Sequence, residues 1–132
     1  MNFPVWLPMS IVRVAVSALL FVHGATRAYK GEVVGFGGFL TSQGLPAGLA
    51  LAWGITGFEI GGSLLLASNR LVRYAAPGLI AILAAGIYLV HRKHGWFVVG
   101  GGTNGVEYSV LLIGCLAAVW MASLRPTRRW LD

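Results

Sequence analysis

Four ionisable side chains of the kind that move protons stand in or beside apolar runs: His23, Glu59, His91 and Glu107. Histidine beside carboxylate is the usual combination for proton transfer near neutral pH, and a ligand site needs such polar groups to converge in an apolar cavity. His23 and Arg27 are four apart and so share one face of a helix. His91, Asn104, Glu107, Tyr88 and Tyr108 fall at a compatible depth. The residues expected to carry chemistry are His23, Glu59 and Glu107, with His23, His91 and Tyr108 as expected cofactor contacts. A blander reading makes His91, Arg92, Lys93 and His94 interfacial residues that reach lipid headgroups.

Glu59 is the hardest of these to place, because "WGITGFEIGGSLLLA" surrounds it with apolar and small side chains. Counted from the end near Ala47 it is about 18 Å down its helix, and Arg13, counted from the far end of the preceding apolar run, is about 22 Å down. A lone charge at that depth costs a few kcal/mol, so Arg13 and Glu59 are expected to form an ion pair. That pair serves either to fix helix register or to present a proton- or ligand-handling carboxylate.

The elements that position these residues follow from composition. Of 132 residues, 57% are hydrophobic and 11% charged, well below the share of charge in soluble domains. A soluble domain of this size has no interior large enough to hide so much apolar surface, whereas about 20 apolar residues make one membrane span. Four spans are expected, over about 9–28, 47–67, 74–92 and 105–124, in a single all-α domain covering 1–132: an integral membrane four-helix bundle. Arg13 interrupts the first run and no basic residue precedes it, so an uncleaved span fits better than a signal peptide.

Between spans one and two, "GEVVGFGGFLTSQGLP" spaces Val33, Phe36 and Leu40 as a helix would, while Gly35, Gly37 and Gly38 weaken one. A short interfacial helix and an irregular outer loop are both open, with Pro46 at the start of the next helix. Small residues four apart, Gly57 with Gly61 and Gly114 with Ala118 and Ala122, suit close helix packing, either within the bundle or in a homodimer.

The net charge of +6 does not indicate nucleic acid, because Arg70, Arg73, Arg92, Lys93, Arg125, Arg128 and Arg129 lie at helix ends rather than on one patch. They act as topology signals. Arg70, Arg73, Arg125, Arg128 and Arg129 share a side with both termini, against Arg27, Lys30, Arg92 and Lys93, which places the termini in the cytoplasm by one residue. Cys115 stands alone, so no internal dithiol operates. Haem held by His23 and His91 is disfavoured by the absence of a CxxCH motif, and no histidine or cysteine cluster suggests zinc or another metal. Gly100, Gly102 and Gly105 imitate a dinucleotide-binding GxGxxG, but no βαβ unit surrounds them. A loop ending in an Asn104 helix cap, with Glu107 in the first turn, explains the same letters.

Arg13, "FVHG" at 21–24, "GLP" at 44–46, "FEIGGSLLL" at 58–66 and Glu107, in that order over four spans, resemble the DoxX/DoxD-like family of small four-helix membrane proteins. The resemblance implies a bacterial or archaeal inner-membrane protein, in some members a subunit of a thiosulfate:quinone oxidoreductase or another quinone-linked complex. It also implies that Arg13, His23, Glu59 and Glu107 are shared polar positions. The expected function is therefore a small membrane subunit of a quinone-linked oxidoreductase complex, with quinone as the fitting cofactor. Expected partners are the bilayer and either other membrane subunits or further copies of the chain. The alternative is a non-catalytic scaffold or assembly subunit. A carrier fits less well, because there is no inverted repeat or broken helix.

Overall fold

A computed structural model describes residues 6–125. Arg128 and Arg129, which enter the expected charge bias, lie outside the described residues. Five α-helices are formed: α1 Trp6–Tyr29, α2 Val33–Ser42, α3 Gly48–Ala67, α4 Val72–Leu89 and α5 Glu107–Leu124, with a 3-10 turn at His91–His94. Helices α1, α3, α4 and α5 are each long and apolar enough to cross a membrane. The expected all-α architecture is present, and no strand occurs among the described residues. The third span stops at Leu89 rather than residue 92, where the basic run HRKH tightens into the 3-10 turn.

The spans form a ring in which α1 packs on α3, α3 on α4, α4 on α5 and α5 on α1. One face of the bundle holds the start of α1, the α3–α4 turn and the end of α5; the opposite face holds α2, the 3-10 turn and the 95–106 loop. Toward the first face the core is Val16, Leu20, Leu66, Val72, Ala76, Leu79, Leu112, Leu116 and Val119, drawn from all four spans. Such interdigitated apolar contacts, not exclusion of water, hold spans together in lipid.

Segment 33–42 is a helix, which resolves the choice between helix and irregular lid. It packs chiefly on α3, through Val33, Leu40 and Ala52 with Phe36, Phe39 and Ile55 beside them, and Leu89 of α4 touches the same cluster. The glycines that weaken α2 in isolation make this packing feasible: a Cβ on Gly37 would stand 2.7 Å from the Leu49 Cα, so the two backbones touch.

The first three helices end alike. After α1, α2 and α3 the chain passes through a left-handed residue, Gly31, Gly44 and Asn69 respectively. The next amide then reaches back into the last turn: Glu32 to Arg27 O at 3.0 Å, Leu45 to Leu40 O at 3.1 Å and Arg70 to Leu65 O at 2.8 Å. These are Schellman ends, which occupy carbonyls that the helix leaves unpaired. "GLP" at 44–46 supplies one of them.

Candidate functional site

The site begins where α1 and α3 touch. A Cβ on Gly24 would stand 3.0 Å from the Glu59 Cβ, so only glycine lets α1 pass this close to the carboxylate. One turn further along α1, Arg27 Nη1 donates to Glu59 Oε2 at 2.6 Å and to Thr56 Oγ1 at 3.1 Å. The guanidinium also lies over the Phe36 ring, 4.6 Å from its centroid, so α2 closes the third side. Glu59 is 3% exposed, and a hydrogen bond from the Ser63 hydroxyl to the Glu59 carbonyl oxygen steadies its turn.

The expected Arg13–Glu59 pair is not formed. Arg13 Nη1 instead donates to the carbonyl oxygens of Leu66 at 2.9 Å and Ala67 at 2.8 Å, the last two residues of α3. A cation there adds a second donor to the Leu66 carbonyl, which already accepts from the Asn69 amide, caps that of Ala67, and faces the negative end of the helix dipole. The reason is register: spans one and two do not begin and end at equal depth. From the level of Gly24, α1 runs only about 8 Å further toward the second face, while α3 runs about 16 Å, to Gly48. That overhang is the part of α3 on which α2 packs. Toward the first face Arg13 is about 16 Å from Gly24, beyond the end of α3, so its side chain meets the terminal carbonyls rather than Glu59.

Beside the Arg27–Glu59 pair, in the half of the bundle nearer the second face, lies a cavity of about 630 Å³. Its walls are largely aliphatic and aromatic: Leu19 and Leu20 of α1, Phe36, Phe39 and Leu40 of α2, Ile55 of α3, the 81–89 face of α4 and Leu112 of α5. Its polar groups are His23, Arg27, Glu59, His91, Asn104, Tyr108 and Ser109. A volume of roughly 300–1,000 Å³ with few polar groups is the usual form of a small-molecule site. His91 is oriented by a 2.9 Å contact between Nδ1 and the Asn104 carbonyl oxygen. A carbonyl only accepts, so Nδ1 carries the hydrogen, and Nε2 of the neutral ring is an acceptor. Nε and Nη2 of Arg27 bond no described residue, which leaves donors on the cation that lines the cavity.

A model of the DoxX family matches residues 9–92. The chain belongs to the DoxX family. Neither the curated proteins nor the solved structures contain a match to it. The matched segment of this DoxX-family chain carries His23, Arg27, Glu59 and His91. Asn104, Tyr108 and Glu107 lie beyond it.

Of the expected site residues, the fold brings His23, Glu59, His91 and Tyr108 to one cavity. Glu107 is elsewhere: its Oε1 accepts from the Val98 amide at 2.8 Å, tying the 95–106 loop to the start of α5, and it does not line the cavity. Tyr88 is on the outside of α4, with the Arg92 guanidinium 4.0 Å from its ring centroid. Asn104 caps no helix; it is left-handed at φ 58° and serves through its carbonyl. Among the described residues no group of three histidine, cysteine, aspartate or glutamate side chains is placed to hold a metal ion. Arg27, Thr56 and Phe36 are the partners that sequence reasoning missed around Glu59. The signals available were Gly24 one turn before Arg27, and Thr56 three residues before Glu59 on the same helical face.

Proposed function

We propose that the cavity receives the head of a quinone, and that this DoxX-family chain is a small membrane subunit of a quinone-linked oxidoreductase complex. The observation that carries the reading is a largely apolar chamber inside the bundle, whose polar side combines a buried Arg27–Glu59 pair with His23 and His91. The remaining donors of Arg27 suit a carbonyl oxygen, and Phe36 and Phe39 offer flat apolar surface to a ring. When bound, a quinone supplies a site that takes up two electrons and two protons. His23 and Glu59 are the groups of this chain assigned to proton transfer, with His91 holding the opposite side of the head. Electrons come from a partner subunit or its cofactor.

The setting proposed is a bacterial inner membrane with the first face in the cytoplasm. Arg13, Arg70, Arg73 and Arg125 support that orientation, and Arg27 no longer counts against it, because Glu59 holds it inside the bundle. A non-catalytic scaffold is favoured by a different feature: Cβ atoms on Gly54, Gly57 and Gly61 of α3 would meet no described residue, which leaves a smooth helix face for a partner helix. The test is quinone extraction from the protein purified natively in nanodiscs. Wild type retains quinone, and Arg27→Met combined with Glu59→Gln, which removes both charges together, loses it. Repeated native preparations without quinone would overturn the redox reading and leave the scaffold.

A further inference from the structure

A second hollow, of about 480 Å³, lies on the outer side of α1 where α5 passes it. It shares Leu19, His23, Arg27 and Tyr108 with the interior cavity. Its remaining lining changes character along α1. Ala18 and Val22, about 8 to 13 Å below Arg27 in the span, are apolar, while Thr26 and Glu32 at the second face are polar. Tyr108 and His23 are both exposed on this side. The groove therefore has the polarity gradient of one lipid leaflet, polar at the interface and apolar toward the midplane. Where the two hollows share residues, only those side chains separate the interior from the surface that lipid covers.

We propose that this α1–α5 groove is a lateral portal and tail site: the ligand is a chain-bearing lipophile that enters from the bilayer, seats its head at Arg27 and lays its chain along Ala18, Leu19 and Val22. The inference rests on the quinone reading above and adds the route and the requirement for a chain. An interior of about 630 Å³ holds a head of ordinary small-molecule size, but not in addition a chain long enough to cross a leaflet. A long chain must leave the chamber, and the wall of Leu19, His23, Arg27 and Tyr108 is one side chain thick between chamber and groove, so rotation of these side chains is the step that opens the portal. Each methylene of that chain already lies in an apolar medium, so the groove contributes placement rather than a large transfer energy.

The experiment compares a chain-bearing benzoquinone with the same ring lacking the chain, on the protein in nanodiscs. The variants are Ala18→Trp and Val22→Trp, positions that line the groove and not the interior. Both face outward, and retained helical circular dichroism with an unchanged melting temperature shows that they fold. The expected result is a loss of chain-bearing quinone affinity of at least roughly tenfold, with the chainless ring bound as by wild type. Unchanged binding of the chain-bearing form, or equal weakening of both forms, would overturn the portal. A photoreactive group at the chain end provides a second measurement: crosslinks to the 18–22 segment and Tyr108 are expected, and crosslinks confined to the 81–86 face of α4 would overturn it. A phospholipid with the same photoreactive group on its acyl chain labels 18–22 less once saturating chain-bearing quinone is present. Undiminished labelling means that lipid alone fills the groove, which overturns the proposal. Wild type that binds neither ring is a different failure, that of the quinone reading itself.

Discussion

Arg27 and Glu59 are 32 residues apart, on different spans, and their Nη1 and Oε2 atoms lie 2.6 Å from each other in the apolar part of the bundle. The pair joins α1 to α3, carries Phe36 of α2 on its outer side and forms part of the cavity wall. Removing one member leaves the other charge buried without its partner, at a cost of about 3–5 kcal/mol, whereas removing both is far milder. Arg27→Met should therefore be severely destabilised and Arg27→Met with Glu59→Gln substantially restored, measured as unfolding midpoints in detergent. Additive losses in the double variant would show that the two charges are not energetically coupled.

Arg13 serves the end of α3 and not Glu59. Arg13→Met should lower stability by about 1–3 kcal/mol, the scale of hydrogen bonds from a charged donor, while leaving quinone retention unchanged. Faster amide exchange at the 66–70 turn is the local readout. Loss of quinone at full stability would contradict the separation of the two arginines.

Gly24 and the glycines of α3 should respond differently to the same substitution. Gly24→Ala puts a methyl 3.0 Å from the Glu59 Cβ and 3.2 Å from Ile60, so α1 must shift; about 1–3 kcal/mol is expected, with weakening of the ion pair. Gly57→Ala and Gly61→Ala meet nothing among the described residues and should leave stability unchanged or slightly raised. If they instead abolish recovery of co-purifying subunits, the smooth face of α3 is a docking surface, as the scaffold reading requires.

Glu107 and His91 hold the same loop from its two ends. Glu107→Gln weakens the acceptor of the Val98 amide, and His91→Ala leaves the Asn104 carbonyl without its donor; each should loosen 95–106 by about 1 kcal/mol. Limited proteolysis within the loop should accelerate in both. Quinone retention should fall only in His91→Ala, because only His91 lines the cavity. An equal fall in both would return Glu107 to the site.

Sequence alone determined the solvent in which this chain folds and the number of times it crosses it. Four apolar runs with few charges leave no other way to satisfy both side chains and backbone, and span limits agree with the helices to within a few residues. Sequence also identified most of the polar residues that the fold gathers, since a histidine, arginine or glutamate within a span must face the interior or find a partner. Tertiary structure decided which partner each one found. Helix pairing depends on relative height, and the height of α3 against α1 is set by α2, whose packing at Gly37 and Leu49 needs the first turns of α3 to project beyond the end of α1. An offset of about two helical turns, invisible when spans are counted from their own ends, moved Arg13 to a helix terminus and brought Arg27 to Glu59.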